Sequence, residues 1–361
     1  MECLSSMCDT LEPGARIPSH LHLMRQFNAS ERTVLRSIEE LQRSGRLVRR
    51  AGSGTYVANT SGTATVEQTS PEPATRPRLT EPIRAGHGSD ACQSIVVVAS
   101  HDNSYLSRGI ELIYDRASDY GIPVSYELPR IELIDALCVR NDANNRGFLV
   151  LGSNRYDLCL RIHATGARVV FVGSISDDID IQFPCVNVNS AHGGYIATEH
   201  LIHLGHRHIG IVQPTSIPRY WGHESAVKAA TEQGTVVTTS QITREQLEHW
   251  QTNTAEAGEY FSAPGHPTAL CAWNDHDAIM LLTLLQCAGI RVPDDVSLVG
   301  YDDIAQARSV TPTLTTVDSK IEDRVRIALD ILVQPLSQAP PCTHLVQPRL
   351  VVRASTGPRV L

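Results

Sequence analysis

Residues 13–57 read PGARIPSHLHLMRQFNASERTVLRSIEELQRSGRLVRRAGSGTYV. Ser19 can cap a short helix on which Leu23, Met24 and Phe27 share one face. Asn28-Ala29 supply a turn, and Ser30 caps a second helix. There Val34, Ile38 and Leu41 recur at helical spacing toward a core, while Arg32, Arg36 and Arg43 fall largely on other faces. Gly45 stops that helix. Two short alternating runs, 47–50 and 55–57, flank Ala51-Gly52-Ser53-Gly54 and predict a hairpin. Helix, turn, helix and basic hairpin make a winged helix-turn-helix plan. Its second helix is polar enough at its start to enter a major groove, and the hairpin arginines reach phosphates. Periodicity alone fits an ordinary small helical domain with a surface hairpin about as well.

The spacing of particular residues narrows the choice. Pro13-Gly14 with Ile17-Pro18-Ser19, Ser30 with Thr33-Val34, Gly45 with Leu47, and Arg49-Arg50 with Gly52, Gly54-Thr55 and Tyr56-Val57 resemble the DNA-binding domain of the GntR family of bacterial transcription regulators. The resemblance implies base contacts from the start of the recognition helix and phosphate contacts from helix and wing. The expected DNA-binding set is Ser30, Arg32, Thr33, Arg36, Arg49, Arg50, Gly52, Ser53 and Gly54. Departures accompany it. Leu21, Glu31 and Leu35 stand where many members carry arginine, and residues 1–12 replace a long first helix with a stretch that makes a poor full helix. Glu31 would accept from a cytosine amino group, so the operator is expected to be unusual.

The chain has 361 residues and a formal net charge of −8, enough for two or three compact units and the wrong sign for coating a polyanion. Residues 1–57 carry eight arginines against six acids, so a mildly basic head precedes an acidic body. That balance suits local phosphate contact. The nine cysteines include no Cys-x-x-Cys pair and read as buried small hydrophobes in a reducing cytosol. No signal peptide and no membrane-spanning run is recognisable, so a cytoplasmic protein without membrane contact is expected.

The expected division is a winged helix-turn-helix domain over 1–58, a flexible Thr/Ser/Pro/Gly-rich linker over 59–91, and a two-lobed body over 92–361. In the body, apolar runs at 94–99, 148–151, 169–172, 208–212, 269–273 and 297–301 alternate with helical patterns. Such alternation predicts an α/β body of parallel sheets covered on both faces, in two lobes with a cleft between them. Ligands of these sheets bind beyond the carboxyl ends of the strands. That places Tyr105, Gly173, Arg219, Asn274 and Asp302 in view. A guanidinium, an amide and a carboxylate converging there can hydrogen-bond neighbouring hydroxyls of a sugar, with an aromatic ring stacking on its apolar face. Each could instead be a helix cap or a surface charge.

Residues 199–212, 218–227, 269–282, 289–304 and 312–317 then resemble the effector domain of the LacI/GalR family. The resemblance implies a periplasmic-binding-protein-like fold with three crossovers and a homodimer formed through this domain. It implies effector contacts from Tyr105, Arg219, Asn274 and Asp302. Gly173 stands where some members carry an acid. Lobe 1 is expected at about 92–190 and 316–338, and lobe 2 at about 191–315 and 339–357. A GntR-type head on such a body resembles the arabinose-repressor type of hybrid.

Two enzyme-like patterns carry less weight. His200, His203, His206 and His208 are close in sequence but support zinc by spacing alone. Asp294-Asp295 and Asp302-Asp303 offer paired carboxylates, but no phosphate loop or nucleophile elbow follows any strand. The expectation is a non-enzymatic, cofactor-free transcription regulator, most plainly a repressor, whose partners are double-stranded operator DNA, a small polyhydroxylated effector (a sugar foremost), and a second copy of itself. The alternatives are a nucleobase or nucleoside sensor on the same fold, with Tyr105 and Trp221 stacking, and a sensor that has lost specific DNA binding.

Overall fold

The structure is a computed structural model that describes residues 92–359 apart from 100–103, 139–144, 154, 175–180, 214–216 and 335–341. In the N-terminal region it describes scattered positions between 4 and 42, then 44–50 and 54–58; the expected linker, 59–91, lies outside the described residues. The chain falls into two units, a head within Met1–Arg84 and a body comprising Ala85–Ser174 and Ile181–Leu361.

In the head, β1 (Leu47–Arg50) pairs antiparallel with β2 (Gly54–Val57), Leu47 opposite Val57 and Arg50 opposite Gly54, as the alternation predicts. The preceding helix ends where expected. Gly45 has φ +72°, its N–H donates to Gln42 O, and Arg46 N–H donates to Leu41 O, the two bonds of a Schellman cap. The Pro-Gly segment runs along the hairpin: Gly14 N donates to Val57 O, Ile17 N to Thr55 O, and Ala15 O accepts from Val57 N. Leu4, Cys8, Ile17, Leu23, Leu41 and Leu47 form the core, with Ile38 packed against it. Leu4, Met7 and Cys8 are helical, so part of the N-terminal stretch read as a poor helix does contribute a buried i, i+4 pair. Val34, Met24 and Phe27 lie outside the described residues.

The body runs β3 (Ser94–Val98), α1 (Ser104–Asp119), β4 (Val124–Glu127), α2 (Ile131–Cys138), β5 (Arg146–Ser153), α3 (Tyr156–Ala164), β6 (Arg168–Ser174) and β7 (Cys185–Val188). It continues α4 (Ser190–His203), β8 (His208–Val212), α5 (Ile217–Glu232), β9 (Thr238–Ile242), α6 (Arg244–Thr252), α7 (Thr254–Ser262) and β10 (Ala269–Cys271). Then follow α8 (Asp275–Cys287), β11 (Ser297–Tyr301), β12 (Thr315–Asp318), α9 (Ile321–Val333), β13 (Thr343–Val346) and β14 (Arg349–Val351). Two six-stranded sheets result. One has the order β13-β7-β6-β5-β3-β4, all parallel; the other is β14-β12-β11-β10-β8-β9, parallel except for β14.

Continuous apolar strands arise because both faces are covered. Ile95 and Val97 pack under α1 and α9, while Val96 and Val98, on the opposite face, are buried as well. In the second sheet, Leu270 and Leu298 face α6, α7 and α8, whereas Ile209, Ile211 and Val299 face α4 and α5. The α4–α5 contact is unusually close. A Cβ on Gly194 would lie 2.1 Å from Arg219 O, and one on Gly222 would lie 1.9 Å from Ala191 O.

The lobe boundaries need correction. β12 pairs with β11, so 315–318 belongs to the second sheet, and the crossing falls at Ser319-Lys320 rather than before 316. Lys320 adopts the left-handed conformation there, φ 58°. β13 pairs with β7 in the first sheet, so 343–346 belongs to lobe 1 and the last crossing is Gln347-Pro348, not 338–339. Hydrogen-bond register decides both, and a sequence pattern of two short polar strands carries little of it.

Candidate effector site

The expected effector residues occupy the carboxyl ends of both sheets. Tyr105 stands in the first turn of α1, just past β3. Its hydroxyl accepts from Arg324 Nη1 at 2.6 Å and from Ser319 Oγ at 3.0 Å. Ser319 Oγ also approaches Asp302 Oδ1 at 3.5 Å. Arg324 and Tyr105 belong to lobe 1, Asp302 follows β11 in lobe 2, and Ser319 is the crossing itself. One polar chain therefore links the two lobes through the strand that joins them.

Asp302 and Asp303 both have positive φ, 113° and 52°, in a region that costs a non-glycine residue of order 1–3 kcal/mol. Asp302 N–H donates to Val317 O at 2.8 Å, which holds the turn. Burial pushes the Asp302 carboxyl up to about 6, against the pull of Arg219, Arg324 and the Ser319 hydroxyl. It is half-buried, part of its surface still open, and carries its charge at neutral pH. Asp303 is spent on structure, bridging Arg353 at 2.5 Å and Arg308 at 2.9 Å.

Arg219 lies on the first turn of α5 and not in a loop. Pro218, which needs no N–H partner there, precedes it. Its guanidinium carbon sits 3.4 Å from the Tyr301 ring centre and 4.3 Å from that of Trp273, and Nη1 donates to Trp273 O. Stacking on two aromatic faces fixes a planar cation well, worth about 0.5–2 kcal/mol per face. A surface charge would not be so held. Burial, then the Arg219 charge, pushes the neighbouring His223 down to about 3, so its imidazole is neutral. Asn274 is where the bland alternative holds: its side chain accepts from Asp277 N at 2.8 Å and donates to Asp277 Oδ2 at 3.1 Å, capping α8. Gly173 lies within β6, where a Cβ would strike Gly152 O at 2.1 Å, so the strand contact explains the glycine.

Arg324, Ser319, Trp273 and Tyr301 escaped the strand-end rule. Trp273 and Tyr301 immediately precede Asn274 and Asp302, which was the available signal. Arg324 had none, since it sits in the first turn of α9 past a crossing that the sequence places only roughly.

Asp275, fully buried at the start of α8, accepts from Ile304 N at 2.9 Å and Thr316 Oγ1 at 2.5 Å, tying the β11 and β12 ends together. Gly300 leaves it room: a Cβ there would meet Asp275 Oδ1 at 2.2 Å. Burial pushes this carboxyl up to about 7. The folded state therefore holds a proton that the unfolded chain has lost above pH ~4, and stability falls as pH rises from about 4 to 7. Asp275→Asn removes that slope. Its unfolding free energy should gain on the parent's by roughly 3 kcal/mol between pH 5 and 8, at about 1.4 kcal/mol per pH unit. Urea titrations of both proteins across that range measure it, and parallel profiles would rule it out.

Three of the four clustered histidines are otherwise engaged. His206 Nδ1 meets Thr268 Oγ1 at 2.9 Å and Nε2 meets Ser297 Oγ at 3.0 Å and Gly357 O at 3.1 Å. The carbonyl requires the proton on Nε2, an assignment that rests on the bonds alone. His200 Nε2 meets Thr356 Oγ1 at 3.0 Å and His208 Nδ1 meets Gly265 O at 2.8 Å. Among the described residues no three metal-ligating side chains come together. Asp294 and Asp295 both pair with Arg291 on the surface.

Of the expected DNA-binding set, Ser30, Arg32, Thr33, Arg36, Gly52 and Ser53 lie outside the described residues. Arg49, Arg50 and Gly54 are placed by their backbone toward the turn end of the hairpin, with Arg50 opposite Gly54 in register. No helix among the described residues is long and apolar enough to cross a membrane.

Comparison with known proteins agrees with both units. Residues 8–57 match the bacterial regulatory proteins of the gntR family, and residues 198–356 match the periplasmic binding protein-like domain. The chain is similar to the arabinose metabolism transcriptional repressor of Geobacillus stearothermophilus, 26% identical over 368 residues, 96% of this chain and 93% of that one. It is similar to the HTH-type transcriptional repressor PurR of Shigella sonnei, 36% identical over 176 residues, 47% of this chain and 50% of that one. Its fold resembles a LacI family transcriptional regulator from Enterococcus faecium with bound ribose, TM-score 0.58, 23% identical, over 73% of this chain and 99% of that one. The chain thus joins a head that the gntR family model matches over residues 8–57 to a two-sheet body matched over residues 198–356 by the periplasmic binding protein-like domain.

Proposed function

We propose that this protein is a sugar-responsive transcription repressor that binds a roughly two-fold operator as a homodimer in the cytoplasm. The observation that carries the reading is the similarity, running through head and body together, to an arabinose metabolism transcriptional repressor. The polar chain from Arg324 through Tyr105 and Ser319 to Asp302 supplies a mechanism. A polyhydroxylated ligand bridging those groups stabilises one relative placement of the lobes. Operator affinity then changes by no more than the ligand's differential affinity for the two placements. Asp302 and Arg219 act as charged acceptor and donor, Tyr105 and Tyr301 as apolar surface. Asn274 orients the end of α8 and, through it, the site.

Titration of the full-length protein with arabinose, ribose, glucose, hypoxanthine and adenosine, read by calorimetry and by release of a bound promoter fragment, tests the reading. Binding by the purines alone would replace the sugar with a nucleobase.

The wing gives a second test. Arg50→Ala should weaken binding to all DNA sequences and reduce the log–log salt slope by ~1, as expected for one lost phosphate contact. The double change Arg32→Ala, Arg36→Ala should abolish operator preference in a gel-shift titration. Parent-like affinity in the double variant would remove these residues from the interface.

A further inference from the structure

The charges in the effector site do not balance. Around the cleft, the described acids are mostly committed to cations of their own. Asp303 is bridged by Arg353 and Arg308, and Asp318 by Lys320 at 3.0 Å and Arg349 at 3.1 Å. On α9 itself, Glu322 pairs outward with Arg108 at 3.0 Å and Asp323 with Arg326 at 3.4 Å. Arg219 and Arg324, by contrast, have no carboxylate within 4.0 Å among the described residues, and the buried Nε of each lacks a hydrogen-bond partner. Arg324 is 4% exposed, and its guanidinium donates to the Tyr105 hydroxyl. Burying a cation without a counter-charge is costly, and the usual resolution is an anion supplied from elsewhere.

Among the described residues, Asp302 is the acid that faces both arginines, one negative charge set against two fixed positive ones. Asp275 is enclosed between Ile304 N and Thr316 Oγ1 and reaches neither guanidinium. His223, beside Arg219, is neutral. The described site therefore holds an excess of about one positive charge, spread over both lobes. Arg324 stands on the lobe 1 side, on α9, and Arg219 on the lobe 2 side, on α5.

We propose that the effector is a polyhydroxylated anion, with its carboxylate or phosphate held by Arg324 and Arg219 and its hydroxyls by Asp302 and Ser319. The inference rests on the sugar-sensing reading of the site and sharpens it from a neutral sugar to an acidic derivative. A planar guanidinium pairs bidentately with either anionic group, so the shared chemistry is that of a sugar acid or sugar phosphate.

The test uses the full-length protein at fixed ionic strength and pH 7.5. Arabinose, ribose and glucose are titrated by calorimetry beside arabinonate, ribonate and gluconate, and beside arabinose 5-phosphate, ribose 5-phosphate and glucose 6-phosphate. At least one anion should bind tenfold or more tightly than its neutral parent, and whether it is an aldonate or a phosphate identifies the source of the charge. In Arg324→Gln the ratio of anion to neutral affinity should fall by tenfold or more, with Arg324→Lys retaining part of it. Should Arg324→Gln fail to fold, the ratio in Arg324→Lys against the parent still decides. A neutral sugar binding as tightly as its anions would overturn this inference and leave the sugar reading standing. Binding by none of the nine would overturn both.

Discussion

Gly222→Ala is expected to destabilise the body by roughly 3 kcal/mol or more and to weaken effector binding with it. A Cβ at position 222 would lie 1.9 Å from Ala191 O, and 2.8 Å from both Ala191 C and Tyr195 N. All three are backbone atoms of the α4 segment, so no side chain can rotate away, and the two helices must separate. Overpacking of side chains costs about 1–3 kcal/mol, and a backbone clash sits at or above that range. For a unit of this size the melting temperature should drop by on the order of 6–12 °C. The same helix carries Arg219 three positions earlier, and Gly194 receives the Arg219 carbonyl from the other side. Displacing α5 therefore also moves the guanidinium off Tyr301. Gly258→Ala in α7 is the control. There the nearest atom is Ala288 O at 3.2 Å, a contact that needs only a small shift, and alanine gains about 1 kcal/mol of helix propensity over glycine, so the change in stability should be small beside that of Gly222→Ala. Equal melting temperatures for the two variants would mean that the α4–α5 contact yields easily.

Much of this was legible in the sequence, and the residues show why. Strands β8 and β11 fall on the residues their apolar runs mark, because a parallel strand buried on both faces shows an apolar run without polar alternation. The helix stop at Gly45 was readable because only a left-handed residue closes that cap. The edge strands were not readable. β9, β13 and β14 place threonine, glutamine, histidine or arginine among few apolar residues (TTSQI, THLV and RLV), so no apolar period announces them. Missing β13 misplaced the last crossing. Asp302 came into view because an acid directly after an apolar strand has no core role, and Arg219 because it stands in the first turn of the helix that follows β8. Asn274 follows the same rule yet caps a helix, since an amide just before an amphipathic helix satisfies either demand. Arg324 could not be found that way. Its place in the cleft depends on where the chain crosses between sheets, which is tertiary information.

Asp302→Asn should weaken effector binding by about two orders of magnitude and erase its pH dependence below neutrality. In the parent, the carboxylate sits between Arg219 and Arg324, with the Ser319 hydroxyl 3.5 Å away and a backbone turn of positive φ presenting it. A ligand hydroxyl donating to it makes a charge-assisted bond. Asparagine keeps the shape and one acceptor but turns the other corner into a donor facing two guanidinium groups. Losing one such partner in a desolvated site costs about 2–4 kcal/mol, and each ~1.4 kcal/mol is tenfold. The pH dependence has a definite sign. Burial raises the free-site carboxyl to about 6, and hydroxyl donors prefer the charged form, so binding is coupled to loss of the proton. Affinity should rise with pH and level off above about 7. At pH 5 only about one site in ten is ionised, which puts affinity roughly tenfold below the plateau. The Asp302→Asn variant should bind weakly and equally at pH 5 and 8. Calorimetry on both proteins at the two pH values, with circular dichroism melts to check that the turn survives, separates the outcomes. A parent affinity that falls as pH rises would mean that the ligand donates to nothing here and that Asp302 must be protonated to bind. An unchanged affinity in the variant would move the acceptor to another residue of the cleft.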